Sequence, residues 1–220
     1  QGMPALTLPN MTNNPNQRQH SPATLRNRDP ILAVLEGVLP QSGLVLEVAS
    51  GSGEHAAWFA PRLPALIWQT SAPETESLQS IAAWTDGLNE SGGDAGNLLP
   101  PLKLDVHDDP WPVAVADAVV CINMVHISPW ATTQALLAGA ATILPAGGPL
   151  YLYGPYLIEG QPTAASNQAF DQDLRRRNPG WGIRDLAAVT HEAARHGFDL
   201  ADTITMPSNN LSVIFRKNNI

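Results

Sequence analysis

The segment LVLEVASGSGEHAA, residues 44–57, combines an acid, two glycines and a histidine directly after an apolar run. The branched residues Leu44 to Val48 predict a buried strand that carries Glu47 near its end. Gly51 and Gly53 allow backbone N–H groups to approach a ligand at the start of the next helix. This pattern is typical of a nucleotide-binding turn in which Glu47 accepts hydrogen bonds.

Two classes of cofactor fit this turn. The letters GSGEHA match the dinucleotide fingerprint G-x-G-x-x-G/A of nicotinamide enzymes. They also fit the first motif of class I methyltransferases, which has an acid two residues before a small residue and then alternating glycines; these positions are Glu47, Ala49, Gly51 and Gly53. Ala49 stands where that motif has its first glycine. A methyl donor carries a carboxylate and an amine, so the turn would meet a zwitterion instead of a pyrophosphate.

Other strand ends favour the methyltransferase interpretation, because ligands of open α/β sheets collect at the carboxyl ends of the strands. The letters LKLDVHD place Asp105 at such an end, where it would accept from an adenine amino group while Val106 packs on the ring. The alternative for Asp105 is a turn or helix-cap aspartate. An acid for the ribose is expected after the second strand, but none precedes Glu74, so either Ser71 replaces it or Glu74 reaches back.

These residues need a frame of alternating strands and helices. Periodicity predicts strands at 44–48, 65–69, 102–106, 116–124, 150–153, 203–206 and 211–216. It predicts helices at 30–39, from the glycine turn to about 63, and at 76–88, 132–144, 170–177 and 184–196. The alternation indicates an α/β fold with a mostly parallel sheet that helices cover on both faces.

Composition narrows the class of protein. The 220 residues are 44% hydrophobic, which suits one α/β domain. A formal net charge of −8 disfavours nucleic acid and anionic membranes as partners. The chain has no apolar run of membrane-spanning length and one cysteine, Cys121, so we expect a cytoplasmic protein without disulfides. The scattered histidines show no metal-ligand spacing, so no metal is expected.

Three segments are predicted along the chain. Residues 1–19 are expected to form a flexible arm, in which Gln1-Gly2 before Met3 is a remnant of tag removal. Residues 20–220 are expected to form a single domain. Within it, residues at about 157–185 are predicted to be a lid-like insertion.

From Arg26 onward the chain resembles the methyltransferase-like 26 family, a class I S-adenosylmethionine-dependent group. The matching blocks are RNRDPIL at 26–32, LEVASGSGEHAA at 46–57, CINMVHISP at 121–129, YGPY at 153–156, SNQAFDQDLRRRNPGWGIRD at 166–185, and MPSNN and IFRKN near the end. The resemblance implies a Rossmann-like seven-stranded sheet with an antiparallel last strand. It also implies S-adenosylmethionine as cofactor and S-adenosylhomocysteine as product. Family members usually have an aspartate where this chain has Ala72.

The cofactor site can then be predicted residue by residue. Arg26 would meet the cofactor carboxylate, and Asn123 and Met124 would line the cofactor at the end of the fourth strand. The full predicted cofactor set is Arg26, Asn27, Glu47, Ala49, Ser50, Gly51, Gly53, His55, Ser71, Asp105, Val106, Asn123 and Met124.

Methyl transfer needs an acceptor held in line about 3 Å from the methyl group and, where required, a base for its proton. His126 follows the fourth strand, and an ordinary histidine pKa of about 6.5 suits a general base. The alternative is a histidine that donates to a nearby backbone carbonyl. Tyr153, before the rigid turn Gly154-Pro155, is the second catalytic candidate, with core packing as its alternative.

The predicted lid supplies the substrate candidates. Three of its polar residues recur every four positions and so share one helix face. We expect Arg175 or Arg177 to hold an anionic group of the acceptor; a solvated charged face is the alternative. The full predicted substrate set is Tyr156, Asn167, Asp171, Arg175 and Trp181.

The sequence therefore predicts a methyltransferase that acts on a small molecule, with an anionic group as one option for the acceptor. A nicotinamide-dependent oxidoreductase is the alternative enzyme. A cofactor-binding homologue that has lost methyl transfer is the non-enzymatic alternative. Neither nucleic acid nor a membrane is an expected partner.

Overall fold

Strands and helices alternate along the chain, as the periodicity predicts. The computed structural model describes residues 17–91 and 96–219. The helices of these residues are α1 (Pro22–Val38), α2 (Glu54–Phe59), α3 (Thr75–Glu90), α4 (Trp130–Ile143), α5 (Ala165–Arg177) and α6 (Leu186–Arg195). The strands are β1 (Gly43–Val48), β2 (Leu66–Ala72), β3 (Leu98–Lys103), β4 (Ala118–Ile122), β5 (Pro149–Gly154), β6 (Tyr156–Leu157), β7 (Arg184–Asp185), β8 (Phe198–Met206) and β9 (Asn210–Lys217).

Seven of these strands form one sheet in the order β3-β2-β1-β4-β5-β9-β8. All pairs of neighbouring strands among β1 to β5 are parallel. Strand β9 is antiparallel to both β5 and β8. The predicted fold class is confirmed, including the antiparallel last strand. Because β1 to β5 run the same way, their carboxyl ends meet at one edge of the sheet.

Both faces of the sheet are covered, because successive side chains of a strand point to opposite faces. In β1, Leu46 and Val48 pack into a cluster that includes Leu136 of α4 and Val189 of α6. Val45 packs into the opposite cluster with Ile31 of α1 and Phe59 of α2. The central strands are therefore buried on both sides.

The two edge strands differ most from the prediction. Strand β3 was expected at 102–106 but spans Leu98–Lys103, and it includes Pro100 and Pro101. The register against β2 shifts between Gln69 and Ser71, so the prolines coincide with a bulge on an edge strand, where they are tolerated. Strand β8 was expected only from 203 but begins at Phe198. Its first part was missed because this exposed edge strand carries polar residues there.

Several helix starts also differ. Helix α1 begins at Pro22, eight positions before the predicted start at Pro30, which lies inside the helix. Helix α5 begins at Ala165 instead of 170. Helix α6 begins at Leu186, after Asp185 caps it by accepting a hydrogen bond from the Ala187 N–H. The earlier start of α1 brings additional residues to the carboxyl edge of the sheet.

Candidate functional site

A continuous groove runs along the carboxyl ends of β1, β2 and β4. Its wider part holds about 440 Å³ and its narrower part about 300 Å³, and Ala49, Gly51 and Asn123 line both parts. We call it the glycine-turn groove. It brings together most of the predicted cofactor set, namely Glu47, Ala49, Ser50, Gly51, His55, Asp105, Val106, Asn123 and Met124.

Glu47 is the most unusual charged group of this groove. Its side chain is 2% exposed, and neither carboxylate oxygen has a hydrogen-bond partner among the described residues. Burial raises the pKa of Glu47 to about 7, although the nearby Ser50 and Trp68 side chains partly offset this effect. A buried carboxylate without a partner is costly, so this position calls for a cationic or hydrogen-bond-donating ligand group.

The backbone of the turn adopts conformations that leave it open to a ligand. Ala49 has φ 54° and Gly51 has φ 58°, both in the left-handed region. No atom lies within 4 Å of the position that a Cβ on Gly51 would take. Gly53 serves packing instead, because its Cβ would lie 2.8 Å from the Ile81 Cα of α3. Gly53 therefore belongs to the helix contact beneath the groove.

The wider part of the groove contains the residues expected to hold a nucleoside. Asp105 is exposed, and its Oδ1 accepts from the His107 N–H at 2.9 Å, which is the turn geometry of the alternative interpretation. Ser71 is fully buried, and its hydroxyl donates to the Glu47 carbonyl at 2.7 Å. Glu74 lines the groove beside Ala72. Of the two residues considered for the ribose, only Glu74 presents a surface to the groove.

A segment that spans the predicted boundary between the flexible arm (1–19) and the domain (20–220) closes the narrower part. Residues 18–21, the N-terminal strap, pack on α2 and α3. The Gln19 N–H donates to Ser80 Oγ at 2.9 Å, and Trp84 Nε1 donates to the Gln19 carbonyl at 3.0 Å. Glu54 Oε1 accepts from the Ser21 N–H at 3.0 Å and lies 3.1 Å from His20 Nδ1. Residues Gln19, His20 and Ser21 thus form one wall of the groove.

Helix α1 contacts another residue that lines the narrower part, His55. Asn27 is buried, and its Oδ1 lies 2.7 Å from His55 Nε2. Burial, assisted by the charge of Arg28, lowers the pKa of His55 to about 4. Arg26, which was predicted to meet the cofactor carboxylate, lies on the exposed side of α1 and does not line the groove.

The two predicted catalytic side chains lie beside the groove and not in its lining. Tyr153 is 3% exposed, and burial raises the pKa of its phenol, while the amides of Asn27 and Asn210 partly offset this rise. His126 is also 3% exposed and packs edge-on against Phe170 of α5, with ring centroids 5.6 Å apart. Burial and the charge of Arg184 lower the pKa of His126 to about 4, so the imidazole is neutral at pH 7.

The predicted substrate residues separate into two groups. Tyr156 and Asn167 line a smaller cleft of about 170 Å³ between α5 and the β8–β9 turn. Arg175 instead pairs with Asp171 at 2.9 Å, and Asp171 Oδ1 accepts from the Ile183 N–H. Trp181 lies beside the guanidinium of Arg177. The expected anion clamp at Arg175 is therefore occupied by an acid of its own helix.

Arg184 is a residue that the sequence did not single out. Its Nη2 donates to the Ser128 carbonyl at 2.7 Å and to the Gly180 carbonyl at 2.8 Å. These bonds join the segment after α5 to the loop after β4. The position of Arg184 near the end of the block 166–185 indicated this role only weakly. The acceptors of its hydrogen bonds are backbone carbonyls, which the sequence does not reveal.

Two absences hold for residues 17–91 and 96–219. No helix there combines the length and apolar character needed to cross a membrane. No group of histidines, cysteines and acids there is placed to hold a metal ion.

The sheet order, the antiparallel β9 and the groove at the carboxyl edge define the class I methyltransferase fold, and solved structures share it. An O-methyltransferase family protein from Burkholderia thailandensis aligns with TM-score 0.70 and 16% identity over 89% of this chain and 57% of its own. Human N-acetylserotonin methyltransferase in complex with SAM aligns with TM-score 0.72 and 15% identity over 90% of this chain and 53% of its own.

A third neighbour is the methyltransferase CalO1 of calicheamicin biosynthesis in its SAH-bound form, with TM-score 0.69 and 16% identity over 89% of this chain and 55% of its own. The chain thus spans slightly more than half the length of these structures.

By sequence, the chain belongs to the family described as "Protein of unknown function (DUF938)", whose model matches residues 18–217. The finer assignment to the methyltransferase-like 26 family stays a prediction.

Proposed function

We propose that this protein is an S-adenosylmethionine-dependent methyltransferase that acts on a small-molecule acceptor. The observation that carries the proposal is the buried Glu47 carboxylate without a partner, which lies at the end of β1 in the glycine-turn groove. The amino-acid end of the cofactor carries an ammonium group, which satisfies such a carboxylate by a charge-assisted hydrogen bond. Two structures with the same fold were solved with SAM or SAH.

The residues of the groove fit the parts of this cofactor. Glu47 would hold the ammonium group, and the open backbone at Gly51 would receive the carboxylate. Glu74 would accept from the ribose hydroxyls in place of the aspartate that is replaced by Ala72. Asp105 would accept from the adenine amino group, since its Oδ2 makes no hydrogen bond to another described residue. When bound, S-adenosylmethionine supplies an electrophilic methyl group.

The side chains beside the groove then have to orient the acceptor and exclude water. His126 is neutral at pH 7, as a base must be, but a pKa of about 4 makes it a weak one. Tyr153 keeps its proton because burial raises its pKa, so its phenol serves as a hydrogen-bond donor. We therefore attribute catalysis mainly to positioning of the acceptor next to the methyl group, with His126 and Tyr153 as the candidate contacts.

The fold disfavours the nicotinamide alternative. Dinucleotide-binding sheets have the parallel order 3-2-1-4-5-6, whereas here the antiparallel β9 lies between β5 and β8. An acidic chain with a net charge of −8 also disfavours nucleic acid as the acceptor. We therefore propose a small molecule as the acceptor class.

Isothermal titration calorimetry of the full chain with S-adenosylmethionine, S-adenosylhomocysteine and NADH tests the proposal. We expect micromolar binding of the first two and no heat with NADH. Tritium transfer from labelled cofactor into a metabolite extract then tests catalysis. Binding of NADH alone would overturn the proposal, and cofactor binding without any transfer would favour the non-enzymatic alternative.

A further inference from the structure

The glycine-turn groove is lined by acids and by few groups that can carry a positive charge. Glu47 lines its narrower part, and Glu74 and Asp105 line its wider part. Among the described residues that line either part, none is a lysine or an arginine. A ligand carboxylate in this groove therefore needs an imidazole to offset the surrounding negative charge.

The position of Glu47 determines where in the groove such a carboxylate would lie. Both oxygens of this buried side chain lack a hydrogen-bond partner among the described residues, which makes Glu47 the expected partner of the cofactor ammonium group. The ammonium and carboxylate groups of an amino acid are attached to the same carbon atom. The carboxylate would therefore lie beside Glu47, in the narrower part.

Two described histidines line the narrower part, His20 and His55. His55 does not supply a positive charge at neutral pH, because burial and, to a smaller extent, the charge of Arg28 lower its pKa to about 4. Its Nε2 is also engaged, 2.7 Å from Asn27 Oδ1. His20 is the histidine that is left, and its side chain is 72% exposed.

Contacts with two helices hold the imidazole of His20 at the groove. Its Nδ1 lies 3.1 Å from Glu54 Oε1 of α2, and its ring packs edge-on against Trp84 of α3, with ring centroids 5.2 Å apart. The ion pair uses Nδ1, so Nε2 is left for a ligand. Because both ring nitrogens of an imidazolium are donors, His20 can bind a second carboxylate while it keeps the first.

The arginines near this end of the groove are placed elsewhere. The guanidinium of Arg18 lies over the ring of Trp84, 5.1 Å from its centroid, and that of Arg28 lies over Trp58. Arg26, which the sequence predicted for the cofactor carboxylate, is on the exposed side of α1. None of these three arginines lines the groove, whereas His20 does.

We propose that His20 binds the carboxylate group of S-adenosylmethionine, in the role that the sequence assigned to Arg26. The imidazolium would bridge the Glu54 carboxylate and the cofactor carboxylate, while the open backbone at Gly51 adds neutral N–H donors. This role rests on the proposed function, because Glu47 has to hold the ammonium group of the same ligand. The N-terminal strap then binds the cofactor directly through His20.

Calorimetry of the full chain with two ligands that differ only in the carboxyl group tests this role. The first is S-adenosylhomocysteine, and the second is S-adenosyl-3-thiopropylamine, the same molecule without its carboxyl group. We expect His20→Gln to weaken S-adenosylhomocysteine binding about tenfold, as for the loss of a hydrogen bond to a charged group. Binding of the thiopropylamine should not weaken, because it has no carboxylate for His20 to hold.

Two further variants separate the charge of His20 from its packing. His20→Arg keeps a cation on the strap, so it should bind S-adenosylhomocysteine clearly more tightly than His20→Gln does. His191→Gln is the matched control, because His191 is exposed on α6 and does not line the groove. This control should bind both ligands as the native chain does.

Equal weakening of both ligands in His20→Gln would overturn the carboxylate contact, since His20 would then only shape the wall of the groove. Unchanged binding of S-adenosylhomocysteine in that variant, or equal affinities of His20→Arg and His20→Gln, would overturn it as well. In each of these cases the native chain still binds S-adenosylhomocysteine, so the proposed function stands. If neither ligand binds the native chain, the proposed function fails and the His20 contact fails with it.

Discussion

Glu47 is the residue on which the proposed function depends most. Its carboxylate is buried without a partner, so the free protein bears a desolvation cost that a cationic ligand group can offset. We predict that Glu47→Gln weakens S-adenosylmethionine binding between tenfold and a hundredfold, which is about the range for a hydrogen bond to a charged group. Calorimetry on the purified variant measures this directly.

The matched control for this prediction is Glu192→Gln. Glu192 is also buried, at 6% exposed, but it pairs with Arg195 and His196 of its own helix region. Cofactor affinity should be unchanged in this variant. If Glu47→Gln bound the cofactor as tightly as the native chain, the ammonium contact would be wrong.

Backbone strain at single residues coincides with the glycine-turn groove and with the smaller cleft between α5 and the β8–β9 turn. Among residues 17–91 and 96–219, four residues other than glycine have positive φ. Ala49 and Asn123 line the glycine-turn groove, Asn209 lines the smaller cleft, and Ser208 adjoins that cleft. Each such residue costs on the order of 1 kcal/mol, and such costs concentrate where a ligand dictates the backbone.

At the scale of elements, the N-terminal strap can be released by a substitution at Trp84, which does not itself line the groove. Trp84 holds it through the Gln19 carbonyl, the His20 ring and the Arg18 guanidinium. We predict that Trp84→Ala releases the strap and raises the dissociation rate of S-adenosylhomocysteine several-fold, because one wall of the groove is lost. Stopped-flow displacement measures this rate, and trypsin should cleave faster after Arg18.

Trp58→Ala is the control for the strap. Trp58 is also stacked by arginines, Arg28 and Arg62, but it contacts no strap residue. Its cofactor dissociation rate and tryptic pattern should match those of the native chain. An unchanged dissociation rate in Trp84→Ala, with cleavage at Arg18 accelerated, would show that the strap does not retain the cofactor.

The elements that the sequence predicted well are those buried on both sides. Strands β1, β4 and β5 are central, so their apolar runs are conspicuous, and the glycine turn after β1 has a distinctive spacing. Of the edge strands, β3 was misplaced and β8 was predicted too short, because an edge tolerates the prolines of β3 and the exposed acids of β8.

The parts of the site that could not be predicted depend on contacts between distant segments. The start of α1 was missed because Pro30 resembles a helix start, although Pro22 fulfils that role. The partner of His20 could not be predicted, because Glu54, which lies 3.1 Å from its ring, is distant in the sequence. The start of α5 was also missed: the sequence predicted this helix only from 170, but it begins at Ala165 without a side-chain cap. The sequence shows which side chains can bind a ligand or transfer a proton, but only the fold determines which residues they contact.

At the scale of the whole molecule, three buried titratable groups around the site make stability depend on pH in opposite directions. The pKa of Glu47 is raised to about 7, so the folded state retains a proton that the unfolded state has lost between about pH 4.5 and 7. Stability from this group therefore falls as pH rises through that window. The pKa values of His55 and His126 are lowered to about 4, so their contribution is lost as pH falls from about 6.5 toward 4.

Comparison of Glu47→Gln with the native chain isolates the first effect, because the histidine contributions cancel in the difference. We predict that the variant without ligand is more stable than the native chain by about 3 kcal/mol at pH 8, as follows from a pKa raised from 4.5 to about 7. The difference should shrink through pH 6 and approach zero below about pH 4.5, where Glu47 is protonated in the folded state and becomes protonated in the unfolded state as well. Urea unfolding at several pH values measures it. A constant difference across that range would mean that Glu47 does not titrate as a buried, unpaired acid, and the ammonium contact proposed for it would lose its physical basis.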